Sequence, residues 1–472
     1  MKFNNKNTTT NKTINKAGGE AYVQSPKLAF ISLLLTSFVK NQYYRSGNET
    51  LQELKDYISQ IKDKEFLAKA AIFARTKYGM RSISHAVAGE IANSVKGEEW
   101  TKRFFDKIIY RPDDMMEILS YYYGLGNKNE PNALIKGFRE AIQRFDEYQL
   151  AKYKKDGAEV SLIDVVNLVH PKANPALNKL MTGKLESPET WETELTKAGQ
   201  VAETDEEKEE LKKDVWIKLI KERKIGYFAL LRNLRNILDQ APEVVPDACE
   251  LLTDEKLIKK SLVLPFRFLT ASQEIQDLSS REAREIIIAI SKALDISVNN
   301  VPKFDGDTLV AIDGSGSMRG KPSEIASLFG AVLAKSNNAD VIVFDDSAKY
   351  KSINPLDSTI TIASSFGFHF GGTDFDTIFD TANRKYDRII ILSDMQAWMG
   401  YNTPKASFSD YKNRTGANPK IYSFDLAGYG TLQFPEENIY CLAGFSEKVF
   451  DIMKLIESDK QALINEIEKI DL

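Results

Sequence analysis

Two carboxylates and three hydroxyls stand out for their spacing. Asp313, Ser315 and Ser317 alternate with glycine in Asp313-Gly314-Ser315-Gly316-Ser317, Thr373 lies in Gly371-Gly372-Thr373-Asp374, and Asp394 follows Ser393. Small hard cations take oxygen ligands, and Mg²⁺ wants octahedral geometry while keeping several waters. Acting directly or through bound water, these five side chains meet that demand with little protein charge, so the metal stays electrophilic toward an outside carboxylate or phosphate. The pattern points to a divalent-cation site at Asp313, Ser315, Ser317, Thr373 and Asp394, with one position open. Mg²⁺ is favoured, with Mn²⁺ and Ca²⁺ as alternatives. The bland reading is a Gly/Ser turn that binds nothing, and the strand-like runs before Asp313 and Asp394 weigh against it.

Such ligands need a scaffold that brings distant loops together. From about residue 303 short apolar runs alternate with amphipathic ones: strands over 308–312, 340–344, 388–392 and 420–424, helices over 322–335 and 374–383, and a closing helix from Ser446. That alternation predicts a doubly wound, mostly parallel sheet. Asp313 and Asp394 then follow strand ends, where ligands gather in open α/β sheets, and the glycines allow the tight turn. The pattern resembles the metal-ion-dependent adhesion site of von Willebrand factor A domains, with every ligand position matched, so 303–472 is expected to be an A-like domain.

Before it, 25–297 is helical in pattern. Leu51, Leu54, Ile58 and Ile61 form one stripe, and Leu230, Leu231, Leu234 and Leu238 form another, with Gly, Pro and Asn between segments. Helix following helix without strands suggests paired helices stacked as a solenoid, although no fixed period is evident. The leader 1–19 carries Lys2, Lys6, Lys12 and Lys16 without an acid before Glu20 and has no contiguous apolar stretch. It is expected to be a flexible basic arm rather than a secretion signal.

A chain of 472 residues, 43% hydrophobic and 28% charged, can build two or three packed domains. Its longest apolar stretch, 28–39, falls short of the ~20 residues a spanning helix needs. Two cysteines and three histidines speak against a disulfide framework or a zinc cluster, and suggest a reducing, cytoplasmic setting. A net charge of −4 argues against general coating of nucleic acid, so any such surface must be local. Charge is unevenly placed. The stretch 186–210 is acid-heavy, whereas Lys152-Tyr153-Lys154-Lys155 and Arg232 to Arg235 are basic.

Several strings in the helical part resemble the TROVE module, named for telomerase-associated, Ro and vault proteins. They are Lys77-Tyr78-Gly79-Met80-Arg81, Lys152-Tyr153-Lys154-Lys155, the run from Asp164 through His170-Pro171-Lys172, Ala229-Leu230-Leu231-Arg232-Asn233-Leu234, and Leu264-Pro265-Phe266-Arg267. The tail Cys441-Leu442-Ala443-Gly444-Phe445, with Val449 to Ile452, resembles the end of Ro autoantigen proteins. The resemblance implies a multidomain protein: a ring of HEAT-like helical repeats over 20–302 followed by the A-like domain. It also implies a ribonucleoprotein core that binds small noncoding Y RNA on a basic outer surface and single-stranded ends of structured or misfolded RNA in the ring hole, in RNA quality control or processing. Lys152 and His170 match family residues that contact Y RNA, and Asp156 is an acid near a position where arginine is common in the family. An exoribonuclease is a candidate companion, and a ring closed by one chain suggests a monomer.

The residues fit such roles. Lys152 and Lys155, three apart, are expected on one helix face, with His170 and Lys172 at a helix end where they can meet phosphate or a base. Arg75, Lys77, Arg81 and Arg232 are candidates for the inner hole, where counterion release would set affinity. Arg267, between Phe266 and Phe268, reads as structural. Surface lysines and buried ion-pair partners are the bland alternatives. No GxSxG, Walker lysine loop or HExxH is present, so a non-enzyme is expected. Three classes stand in order: an RNA-binding ribonucleoprotein core; a scaffold whose metal captures a partner's Asp or Glu; and, well behind, a metal phosphohydrolase.

Overall fold

The computed structural model describes the chain apart from residues 1–11, 16, 24, 37–46, 155–157, 187–189, 262, 264, 299–302, 401–402, 428, 430, 434–438, 443–452 and 454–461. Lys155, Asp156, the 299–302 junction, most of the Ro-like tail and the expected helix start at Ser446 lie outside the described residues. The chain divides into two compact units, one formed by 1–83 with 300–471 and the other by 84–299 with Leu472.

The second unit is helical, from the latter part of Ser82–Ile91 through Arg281–Val298, with no strand among its described residues. Local chemistry fixes many helix starts. Asp146, Ser161, Asn174, Thr190 and Thr204 each accept a backbone N–H of the first turn. Asp205, Glu206 and Glu207, part of the acidic run, occupy the first turn of Asp205–Lys221, where the helix dipole favours negative charge. Neighbouring helices then bury their apolar stripes. Thr101–Lys107 packs on Asn132–Ala141 so closely that a Cβ at Gly137 would stand 2.8 Å from the Lys102 carbonyl oxygen.

In the first unit, a six-stranded sheet holds β3 (Thr308–Asp313), β4 (Asp340–Phe344), β5 (Ala348–Lys351), β6 (Arg388–Ser393), β7 (Lys420–Asp425) and β9 (Ile439–Leu442), in the order β5-β4-β3-β6-β7-β9. All neighbours are parallel except β4 and β5. β3 and β6 are buried along their whole length, as the uninterrupted apolar runs predict for central parallel strands. Helices Lys321–Asn337 and Pro404–Thr415 lie in the β3–β4 and β6–β7 connections.

The four expected strands and the 322–335 helix are present, the helix expected over 374–383 is confined to Asp376–Thr381, and Ala348–Lys351, Thr359–Ser365, Pro404–Thr415 and Ile439–Leu442 are additions. The first is a polar edge strand with no hydrophobic run to betray it. Part of the leader expected to be flexible is also structured. β1 (Lys12–Ile14) pairs with β2 (Glu20–Val23), which pairs with β8 (Thr431–Leu432). Asn15 ties this hairpin down by donating from Nδ2 to the Ala397 carbonyl at 2.5 Å. Helices Pro26–Thr36, Gly47–Gln60, Lys64–Lys77 and Ala462–Glu468 also belong to this unit, and Ser32 Oγ donates to Asp425 Oδ2 at 3.3 Å.

Candidate functional site: a hydroxyl and carboxylate cradle and an exposed basic surface

Strand order reverses between β3 and β6, so the crevice beyond their carboxyl ends is where an open α/β sheet gathers ligands. Asp313 ends β3, Ser393 ends β6, and Asp394 follows it. Three loops are knitted together there. Gly316 N–H donates to the Gly371 carbonyl at 2.9 Å, Phe370 N–H donates to Gly314 at 2.9 Å, and Trp398 and Met399 N–H both donate to Thr373 at 3.2 and 3.1 Å. Gly314 matters because a Cβ there would meet the Phe368 ring at 2.9 Å.

The five expected metal-site residues are all buried: Asp313 and Asp394 at 0% exposure, Ser315 and Thr373 at 1%, and Ser317 at 6%. Ser315 and Ser317 Oγ lie 3.3 Å apart. Asp313 Oδ1 accepts the Ser315 N–H at 2.8 Å, and Asp394 Oδ1 accepts the Gln396 N–H at 3.2 Å. Asp394 Oδ2, fully buried, has no hydrogen-bond partner among the described residues. Burial pushes the Asp313 carboxyl up to about 6, against hydrogen bonds from Ser315 and Ser393 that lower it. Burial, then repulsion from Asp313, raises Asp394 well above the carboxylate range.

Two buried, mutually repelling carboxylates with an orphaned oxygen form an uncompensated arrangement that a cation would compensate. Among the described residues no group of three or more His, Cys, Asp or Glu could hold a metal, so hydroxyls would have to complete any shell here. Ser393 is the residue that sequence reasoning passed over: it stands in the quoted Ser393-Asp394 pair, and its Oγ donates to Asp313 Oδ2 at 2.5 Å. Asp345, 5% exposed, adds a third nearby charge that also raises Asp313.

The basic candidates separate by exposure. Lys152, His170, Lys172 and Arg232 in the helical unit, and Lys77 in the other, are exposed. His170 caps Leu162–Val169 in the left-handed conformation, φ 45°, with its N–H on the Val166 carbonyl, and Gln143 Nε2 donates to the Lys172 carbonyl at 2.8 Å, anchoring the next segment. Glu147–Lys152 ends at Lys152, whose Nζ lies 5.5 Å from the Tyr148 ring centroid, and Lys155, expected to share its helix face, lies outside the described residues. Arg75 is 8% exposed, which fits a packing role better than phosphate contact, and Arg81 is partly buried. Arg267, read as structural, is exposed, with its guanidinium 5.7 Å from the Phe228 ring centroid.

The TROVE domain model matches residues 20–182 and 176–302. The chain belongs to the TROVE domain family. In the other comparisons, telomerase protein component 1 of Mus musculus and of Rattus norvegicus are each 22% identical to this TROVE protein over 353 residues, covering 55% of it. The chain spans only 13% of the length of these relatives. The fold is similar to that of the Deinococcus radiodurans Ro protein, with a TM-score of 0.60 and 18% identity over 90% of this chain and 99% of that one. No described helix of this TROVE protein is long and apolar enough to cross a membrane.

Proposed function

We propose that this TROVE protein is an RNA-binding ribonucleoprotein core that holds small noncoding, Y-like RNA on an exposed basic surface and the single-stranded ends of structured or misfolded RNA within a ring of helical repeats. The observation that carries the reading is the TROVE match over 20–302, supported by the exposure of Lys152, His170 and Lys172 within that stretch. Phosphate contacts from such residues would supply most of the affinity and make it fall with salt. No catalytic role is proposed.

The test is a mobility shift at physiological salt, comparing a structured RNA bearing a single-stranded 3′ tail with its blunt form. Wild type and a Lys152→Ala/His170→Ala/Lys172→Ala variant are run in parallel. Submicromolar, tail-dependent binding is expected, with the variant weakened toward small structured RNA. Absence of binding to both RNAs would sink the reading.

A second reading rests on the orphaned Asp394 Oδ2. The C-terminal sheet is read as an A-like domain whose Asp313, Ser315, Ser317, Thr373 and Asp394 hold a divalent cation, Mg²⁺ by preference, open to a partner's Asp or Glu. It coexists with RNA binding, since the residues differ. Chelator-sensitive capture of an acidic partner in the absence of RNA would support it.

A further inference from the structure

A cavity of about 610 Å³ opens between helices Tyr227–Gln240 and Phe266–Gln273, within the helical unit. That volume lies in the ~300–1,000 Å³ range of small-ligand pockets. Each helix contributes one stripe. Phe228, Arg232 and Arg235 follow i, i+4, i+7, and Arg267 and Thr270, with Glu274 just beyond the helix end, follow i, i+3, i+7, so both sets face one way. Leu234 and Ile275, at 2% and 0% exposure, close the apolar floor.

Arg232, Arg235, Arg267 and Glu274 line the cavity, and the Arg235–Glu274 pair is long, at 3.9 Å, with both side chains more than half exposed. Such a pair contributes little and exchanges readily for a phosphate. Arg232 is exposed. Phe228 leaves 47% of its surface in water, an unusual placement for a phenyl ring in a helix whose other large apolar residues are buried. A ring face beside guanidinium donors, over an apolar floor, is the combination that stacks a base while holding its phosphate.

We infer that this cavity binds one nucleotide of single-stranded RNA, its base stacked on Phe228 and its phosphate held by Arg232 and Arg267. The inference deepens the RNA-binding reading and rests on it. Phe228 and the arginines are exposed, so their replacement leaves the packing of Leu230, Leu234 and Phe268 intact.

The test uses the full chain and a fluorescent single-stranded RNA decamer of uridines with one 4-thiouridine, read by anisotropy and by photo-crosslinking with peptide mapping. Phe228→Ala should weaken binding by roughly 5- to 100-fold, the range for loss of one base–aromatic stack, while Phe228→Tyr should retain it. Arg232→Gln/Arg267→Gln should lower the magnitude of the salt slope by roughly 1.4, about 0.7 for each phosphate contact to a single strand. Crosslinks should map to 227–240 or 266–274. If wild type binds the decamer but Phe228→Ala binds equally well and crosslinks map elsewhere, the pocket is overturned and the RNA reading stands. If wild type binds neither the decamer nor tailed RNA, both fall. If inorganic polyphosphate competes as well as RNA and only the arginine variant responds, the site is an anion surface and base stacking is overturned. Thermal melts of each variant within a few degrees of wild type exclude misfolding.

Discussion

Ser393 Oγ lies 2.5 Å from Asp313 Oδ2, so the end of one central strand holds the carboxylate that ends its parallel neighbour. The same Oγ accepts the Met395 N–H at 2.9 Å, turning the chain toward the Thr373 loop. One hydroxyl therefore fixes both a candidate ligand and the loop that covers it.

Replacing Ser393 by alanine removes a donor from a fully buried carboxylate and an acceptor from a buried amide. The expected loss is about 1–3 kcal/mol of stability. Denaturant unfolding of Ser393→Ala against wild type checks it, and an unchanged midpoint would show that the bond contributes nothing net.

Asp394 carries charge into a site where burial and Asp313 both oppose it. A carboxylate whose folded pKa lies above its unfolded value subtracts stability at neutral pH, and the loss is relieved as pH falls through the folded value. Asp394→Asn should therefore melt at or above the wild-type temperature in EDTA. The variant should lose the gain that millimolar Mg²⁺ gives wild type, a gain of ~2.7 kcal/mol at a hundred times Kd. A Mg²⁺-dependent shift that survives in Asp394→Asn would remove this carboxylate from the cation site.

Gly137 lets two helices approach backbone to side chain. A methyl group there would come within 2.6 Å of Phe105 Cβ and 2.8 Å of the Lys102 carbonyl oxygen. Neither is the free end of a flexible side chain, so Gly137→Ala should destabilise by ~1–3 kcal/mol through overpacking, despite alanine's better helix propensity. Stability equal to or above wild type would mean that these helices can separate cheaply.

The Cys249 thiol is pushed up to about 11, first by burial and then by Glu285. A raised value favours the neutral thiol, so at pH 8 the nucleophilic thiolate is scarce. Iodoacetamide labelling followed by peptide mass spectrometry should find Cys249 slow at pH 8 in folded protein and fast in urea. Rapid labelling of the folded protein at pH 8 would contradict the assignment.

Sequence alone carried the periodicities and the loop chemistry. The apolar runs 309–312 and 389–392 read as buried parallel strands beside helices, and Asp-Gly-Ser-Gly-Ser after the first reads as a tight turn, so the two strands and the loop between them were legible from local pattern. Local signals also marked helix starts such as Ser161 and Thr204, because a capping side chain bonds within its own turn. The tertiary structure decided what depends on partners distant in the chain. Ser393 looks like any strand-end serine until β6 lies beside β3, 80 residues away. Exposure was equally hidden: Arg75 and Arg267 both sit in apolar contexts, yet one is buried and the other stands over Phe228 at a cavity mouth. Whether an arginine faces inward depends on which helix packs against it, and side-chain spacing along one helix does not encode that.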